Sequence, residues 1–305
     1  GAPQRWLQEW INDEYAEASG LMIDVDDPIY GEMTQPGPVV WMEESGEEAL
    51  APAPRQWVEF DVALKALRKL RTDIPEPEEG IDQEGWLSGV RVLDMCNVIA
   101  GPHAASYLAR FGAEVIKLDP ATPLYDSWNT VIYGMSQGRG KKSILADIKS
   151  EHGRKGFEDL VKSVDVIFWN APDSQIRRMG LDAESLRKLN PEAIFCKLDC
   201  FSGVQRGVRT DYIGYDDLVQ ATTGIMLRFG GAMDRPEEHA HVGTIDVMCG
   251  FGGALAVAAS LYQKHRFGRI GRGRTSLSSN SGLLQIPFAY DFRGRGLFDE
   301  PSGPE

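Results

Sequence analysis

Residues 89–119 read GVRVLDMCNVIAGPHAASYLARFGAEVIKLD. VRVLDM is a short apolar run of the kind that forms a strand buried on both faces. GPHAASYLARFG carries helix-forming residues up to a glycine at 112, a common helix stop, and AEVIKLD is a second strand pattern. Strand, helix and strand within some thirty residues make a βαβ unit. Downstream the alternation continues: a helix over 151–163, a strand DVIFWN at 165–170, a helix AESLRKLN at 183–190 and a strand AIFCKLD at 193–199. The predicted fold is therefore α/β, a doubly wound, Rossmann-like parallel sheet. In such sheets ligands bind beyond the carboxyl ends of the strands, which points to the loops after Met95, Asp119 and Phe168.

Upstream the text changes. QRWLQEWINDEYAEA (4–18) sets Trp6, Leu7, Trp10 and Ile11 at helical spacing, whereas residues 24–54 are rich in Pro, Gly and Glu and read as extended and irregular. FDVALKALRKLR (60–71) resumes a helical period, and TDIPEPEEGIDQEG (72–85) holds six acids and two prolines, too little apolar surface to offset the entropy of ordering. The expected organisation is an N-terminal segment over 1–71, an acidic linker over 72–85 and the main domain over 86–305.

With 305 residues and a formal net charge of −13, the chain repels phosphate backbones and anionic lipid, so nucleic-acid and membrane partners are not expected. The apolar run 248–262 is interrupted by glycines and is shorter than the roughly 20 residues a bilayer span needs. The cysteines at 96, 196, 200 and 249 form no CxxC pair and have no histidines at ligand spacing, so no metal is expected and a reducing cytoplasm fits.

The loop CNVIAGPHAAS lacks the GxGxxG spacing of a dinucleotide site. Asn170 ends a strand, Arg177 and Arg178 follow within two helical turns, and GRGKKS (138–143) adds a basic knot. Each has a plain reading as turn cap or solvated charge, and together they resemble anion clamps. Asp246 opens the run DVMCGFGGALAVAASLYQ; it is either an N-cap for that helix or a carboxylate nucleophile kept ionised by the helix terminus.

Five blocks in order resemble the class III CoA-transferases (CaiB/BaiF) over about residues 86–292: the opening stretch, RGKKSILADIKSEHGRKGFEDLVKSVDVIFWN, RRMGL, GYDDLVQATTGIM and IDVMCGFGGALAVAASLYQKHRFGRIGRGR. The resemblance implies coenzyme A and acyl-CoA as substrates and Asp246 as the group that carries CoA between carboxylic acids as an aspartyl-CoA thioester. It places Ile99, Ala100, Lys142, Ala146, Asn170 and Arg178 around CoA. Ile99 and Pro120 stand where some members have Gln and Arg, so part of the usual polar grip is absent. Gly214-Tyr215-Asp216 replaces the GHD-like block of the family's racemases, which ranks racemisation low because tyrosine is a poor base near neutrality.

SWNTVIYGMSQGRGKKS and EEHAHVGTIDV are similar to the second half of fused CoA-transferase/lyases acting on dimethylsulfoniopropionate. This implies release of dimethyl sulfide, with Trp128, Tyr133 and Trp169 available to the sulfonium, Tyr215 among the substrate contacts, and His239 and His241 flanking the approach to Asp246. DDPIYGEMTQPGPVVW looks like the tail of a preceding half, and the small domain and glycine-rich loop would follow Glu305. The family pattern further implies an interlocked homodimer or pairing with a second half. The alternatives are a CoA-binding or scaffolding half without chemistry, and a transferase for carnitine or another small acid.

Overall fold

The computed structural model describes residues 1–50, 57–70, 85–122, 127–231, 234–239 and 243–295. The expected acidic linker, apart from Gly85, lies outside the described residues, as does His241.

The N-terminal fifty residues are more ordered than their composition implies. The expected single helix is two, α1 (Leu7–Ile11) and α2 (Glu14–Ala18), because Asp13 caps α2 by accepting from the amides of Tyr15 and Ala16 and pairs with Arg5 and Arg209. The stretch read as irregular forms a hairpin, β1 (Met22–Asp27) and β2 (Gly31–Pro36), turned where Asp27 Oδ1 accepts from the amides of Ile29 and Tyr30. A third strand, β3 (Val40–Met42), follows. Leu7, Trp10, Ile11 and Met22 are all buried, each removal from water favouring the fold by roughly 2 kcal/mol. α3 (Phe60–Leu70) matches the helical period read at 60–71.

The main sheet grows from the opening stretch: β4 (Arg91–Asp94), α4 (Ala100–Arg110) and β5 (Glu114–Asp119) form the expected βαβ unit. α5 (Ser127–Gln137), β6 (Lys141–Leu145), α6 (Glu151–Lys162), β7 (Val166–Trp169), α7 (Asp173–Arg178), α8 (Ala183–Arg187) and β8 (Ile194–Asp199) follow. Then come α9 (Asp216–Thr223), α10 (Thr244–Phe267), β9 (Arg272–Ser276), α11 (Leu277–Leu284) and β10 (Asp291–Phe292). The seven-stranded order is β3-β9-β8-β7-β4-β5-β6, with β4 to β9 parallel and β3 antiparallel at the edge. β10 joins β2 in a smaller antiparallel sheet of three strands. The basic knot at 138–143 is thus the entry to strand β6, and α5, β9 and α11 add to the elements expected.

One core gathers Val92, Ala104, Leu108, Phe168, Ile194 and Ala256 on the face covered by α4 and α10; a second gathers Leu93, Phe157, Ile167, Leu181 and Phe195 on the other face. α10 lies close on α4 because its glycines leave room. A Cβ on Gly250 would sit 2.6 Å from the His103 ring, and one on Gly253 would sit 2.8 Å from Phe168. An 18-residue window of α10 has mean hydropathy 1.6 and is half buried inside the protein. Four of its large apolar side chains, Phe251, Leu255, Tyr262 and Phe267, are exposed.

Candidate active site

Asp246 is not the cap of α10. Gly243 takes that place and Asp246 is the third helical residue, 8% exposed. Its amide donates to Asp216 Oδ2 at 2.7 Å. Asp216, first residue of α9, also accepts from the side-chain amide of Gln220, whose own Oε1 accepts from the His239 backbone N–H at 2.8 Å. α9 therefore holds both the approach segment and the first turn of α10, and the GYDDLVQ stretch supplies both anchors.

The Asp246 carboxylate accepts no hydrogen bond among the described residues and lines a cavity of about 250 Å³ with Ala100, Asn170, Tyr215 and Cys200. Burial pushes its pKa up to about 7, aided by the neighbouring Asp216 and Asp217 charges. This corrects the expectation that the helix terminus keeps the group ionised: desolvation beside two acids outweighs that field. Burial also raises the Asp216 pKa, against the hydrogen bonds it accepts.

The loop after β4 forms the opposite wall. Val98 has φ of 67°, a left-handed conformation costly for a β-branched residue, and it directs Ile99 into the cap position of α4. Ile99 lines neither cavity but comes near Asp246 across Gly243: a Cβ on Gly243 would lie 3.1 Å from Asp246 Oδ2 and 3.4 Å from Ile99 Cδ1. Asn170 clamps this loop, its Oδ1 accepting from Asn97 N–H at 2.9 Å and its Nδ2 donating to Asn97 O at 2.7 Å. It stands in the cavity wall, with its amide engaged in holding the loop.

Asn97 and Val98 are shared with a second cavity of about 390 Å³ at the ends of β5 and β6, which Lys117, Pro120, Tyr133 and Lys141 also line. Lys141 is 2% exposed at its side chain, and its Nζ donates to Asp94 Oδ2 at 2.8 Å and Pro102 O at 2.7 Å.

Other expected site residues lie apart from Asp246. Lys142 is exposed, pairs with Glu114 at the start of β5, towards the opposite end of the sheet, and lines neither cavity. Ala146 donates its amide to Asp119 O at 3.0 Å and packs on the second core. Arg178 is exposed at the end of α7 and lines neither cavity. Trp128 is exposed on α5, and Trp169 is buried along a separate cavity of about 430 Å³. His239 packs on Phe229 with its ring beside Thr244, and it does not line the Asp246 cavity. Tyr215 does line it, immediately before Asp216.

Asp216 and Gln220 were not singled out from the sequence, although an acid one residue after an expected substrate contact was the available signal. Among the described residues no three His, Cys, Asp or Glu side chains are grouped to hold a metal ion. All four cysteines are free thiols.

The chain is 48% identical over its whole length to the CoA-transferase/lyase DddD of Marinomonas sp. (strain MWYL1), of which it covers 37%. It is 35% identical to the succinate–glutarate CoA-transferase of Agrobacterium fabrum over 60% of this chain and 48% of that protein. It therefore spans about half or less of the length of these relatives. Among solved structures, a CAIB/BAIF family protein from Brucella suis superposes with a TM-score of 0.60 at 28% identity, over 68% of this chain and 57% of that one. Rv3272 of Mycobacterium tuberculosis superposes with a TM-score of 0.60 at 28% identity, over 67% and 56%. Residues 87–293 match the model of CoA-transferase family III, and the chain belongs to that family.

Proposed function

We propose that this chain transfers coenzyme A through Asp246 and that its acceptor is dimethylsulfoniopropionate, whose CoA thioester is then cleaved with water, breaking the C–S(sulfonium) bond to release dimethyl sulfide and a proton while the water oxygen becomes the hydroxyl of a 3-hydroxypropionyl unit. The observation that carries the transfer is the Asp246 carboxylate itself, nine-tenths buried, accepting no hydrogen bond among the described residues and facing a cavity that adjoins a larger one at Asn97 and Val98. The acceptor reading draws support from similarity to a relative named as a CoA-transferase/lyase.

In the ionised form, an Asp246 oxygen attacks the donor thioester carbonyl; the C–S bond breaks, giving a mixed anhydride and CoA thiolate. The thiolate attacks Asp246 Cγ, the anhydride C–O bond breaks, and the donor acid departs. The acceptor carboxylate repeats these steps in reverse and leaves as its CoA thioester. CoA would lie along the larger cavity, its thiol end passing Val98 and Ile99 to reach Asp246, while burial shields the acyl intermediates from water. Exposed apolar side chains on α5 and α10, including Trp128, Met135, Phe251 and Leu255, favour pairing with a second such unit.

The test is mass spectrometry of the intact protein after incubation with acyl-CoA, followed by addition of dimethylsulfoniopropionate and headspace analysis for dimethyl sulfide. A CoA adduct on Asp246 that disappears in Asp246→Asn is expected. Absence of an adduct in the unmodified protein would refute the transfer, an adduct that dimethylsulfoniopropionate does not discharge would refute the acceptor, and discharge without dimethyl sulfide would refute the cleavage.

A further inference from the structure

The charged side chains that line the Asp246 cavity are Asp199, Asp211 and Asp246, and among the described residues no Lys, Arg or His lines it. Asp199 is neutralised by Lys197 and Arg274. Among the described residues Asp211 has only a loose, exposed pairing with Arg206 at 3.7 Å, and Asp246 accepts no hydrogen bond. The cavity is therefore acidic at both its rim and its floor.

Two tyrosines stand on the same rim: Tyr212 and Tyr215 line the cavity and are 57% and 51% exposed. Their loop is held in place from both sides. A Cβ on Gly214 would lie 2.5 Å from Cys200 Sγ, so the backbone there lies close against the end of β8, and Asp216 beyond Tyr215 is fixed to the Asp246 amide. By contrast Tyr133 lines the adjoining cavity, Trp169 lines a third and Trp128 lines neither of those beside Val98.

We propose that Asp211, Tyr212 and Tyr215 form an onium subsite that selects carboxylates bearing a sulfonium or quaternary ammonium head over dicarboxylates and uncharged acids. This rests on the reading of the Asp246 cavity as the acceptor site. A fixed positive centre is drawn to the negative faces of the two rings and to the Asp211 carboxylate. A dicarboxylate would bring its second negative charge into a cavity that offers it no cation, against Asp211 and Asp246.

The experiment measures binding of dimethylsulfoniopropionate, 4-methylpentanoate (the same skeleton with carbon in place of sulfur) and glutarate by titration calorimetry. Dimethylsulfoniopropionate is expected to bind about tenfold more tightly than 4-methylpentanoate, with glutarate weaker still. Tyr212→Leu and Tyr215→Leu should each remove most of that preference while leaving 4-methylpentanoate within about twofold, and the Phe variants should retain it because the ring face remains. Asp211→Asn should weaken dimethylsulfoniopropionate and improve glutarate. Equal binding of the sulfonium and its carbon analogue by the unmodified protein overturns the subsite whatever the variants do, as does full preference in both Leu variants. Adduct formation on Asp246 is followed in the same preparation. An adduct without onium preference sinks the subsite alone, and onium preference without an adduct sinks the transfer reading alone.

Discussion

Replacing Asp216 by Asn changes one charge beside the nucleophile while keeping an oxygen that can accept from the Asp246 amide. Asp216 Oδ2 lies 2.7 Å from the Asp246 nitrogen. In general, two like unit charges roughly 6 Å apart at an effective dielectric near 20 repel by about 3 kcal/mol. Fully expressed, that is about two pKa units. Burial raises the Asp216 pKa as well, and Asp217 and the burial of Asp246 remain in the variant. The expected fall in the Asp246 pKa is therefore about one unit. Only the ionised carboxylate attacks, so the rate of adduct formation rises with pH through this pKa. Quenched-flow mass spectrometry from pH 5 to 9 should place the midpoint near 7 in the unmodified protein and about one unit lower in Asp216→Asn. An unchanged midpoint with an altered plateau would refute the electrostatic argument and leave Asp216 as a backbone anchor only.

Asp246→Asn should stabilise the protein increasingly as pH rises. A carboxyl whose pKa is raised from 3.8 to about 7 in the folded state contributes stability that is fully present below pH 3.8 and lost as pH climbs through 7, up to about 4 kcal/mol from this group. Thermal melts at pH 5 and pH 8 check this, and a difference that does not grow with pH would contradict it. Asn170→Ala removes both hydrogen bonds to Asn97 and should lower stability by about 2 kcal/mol in denaturant titration. It should also raise the KM for acyl-CoA by loosening the Val98 loop. Lys142→Ala breaks an exposed pair with Glu114, so stability should stay within about 0.5 kcal/mol and the acyl-CoA KM should not move. A large rise in that KM would return Lys142 to the cleft.

The middle of the sheet was legible because β4, β7 and β8 are covered on both faces and carry apolar runs, Val92-Leu93, Val166–Trp169 and Ile194–Cys196. The flanks were not. β6 is an edge strand opening on two lysines, and β9 reads RGRTS, whose Arg274 is buried only because Glu43, Asp173 and Asp199 surround it. Partners that far away in sequence leave no local signal. The N-terminal hairpin was hidden because its strands carry acids and proline and find their cover in α11 and β10, more than 200 residues later. At the site, Asp246, Ile99 and Ala100 were named through ordered blocks of resemblance, and Asp246 and Ala100 line one cavity. The Lys142 and Arg178 placements did not follow from it, since side-chain direction on an edge strand and on a short helix depends on packing that the blocks do not encode.

β3 gives the 40–50 region a protective duty. It covers the outer rim of β9, where Val39 O accepts from Thr275 Oγ1 at 2.9 Å and Glu43 and Glu44 neutralise Arg272 and Arg274. Trimming the chain to the family-matched span would open that row of backbone donors and acceptors to a neighbouring molecule and strand the Arg272 and Arg274 guanidinium groups without those carboxylates, a recipe for edge-to-edge aggregation. In solubility terms, the shortest well-behaved version of this unit begins upstream of Val39, well before the region by which the family is recognised.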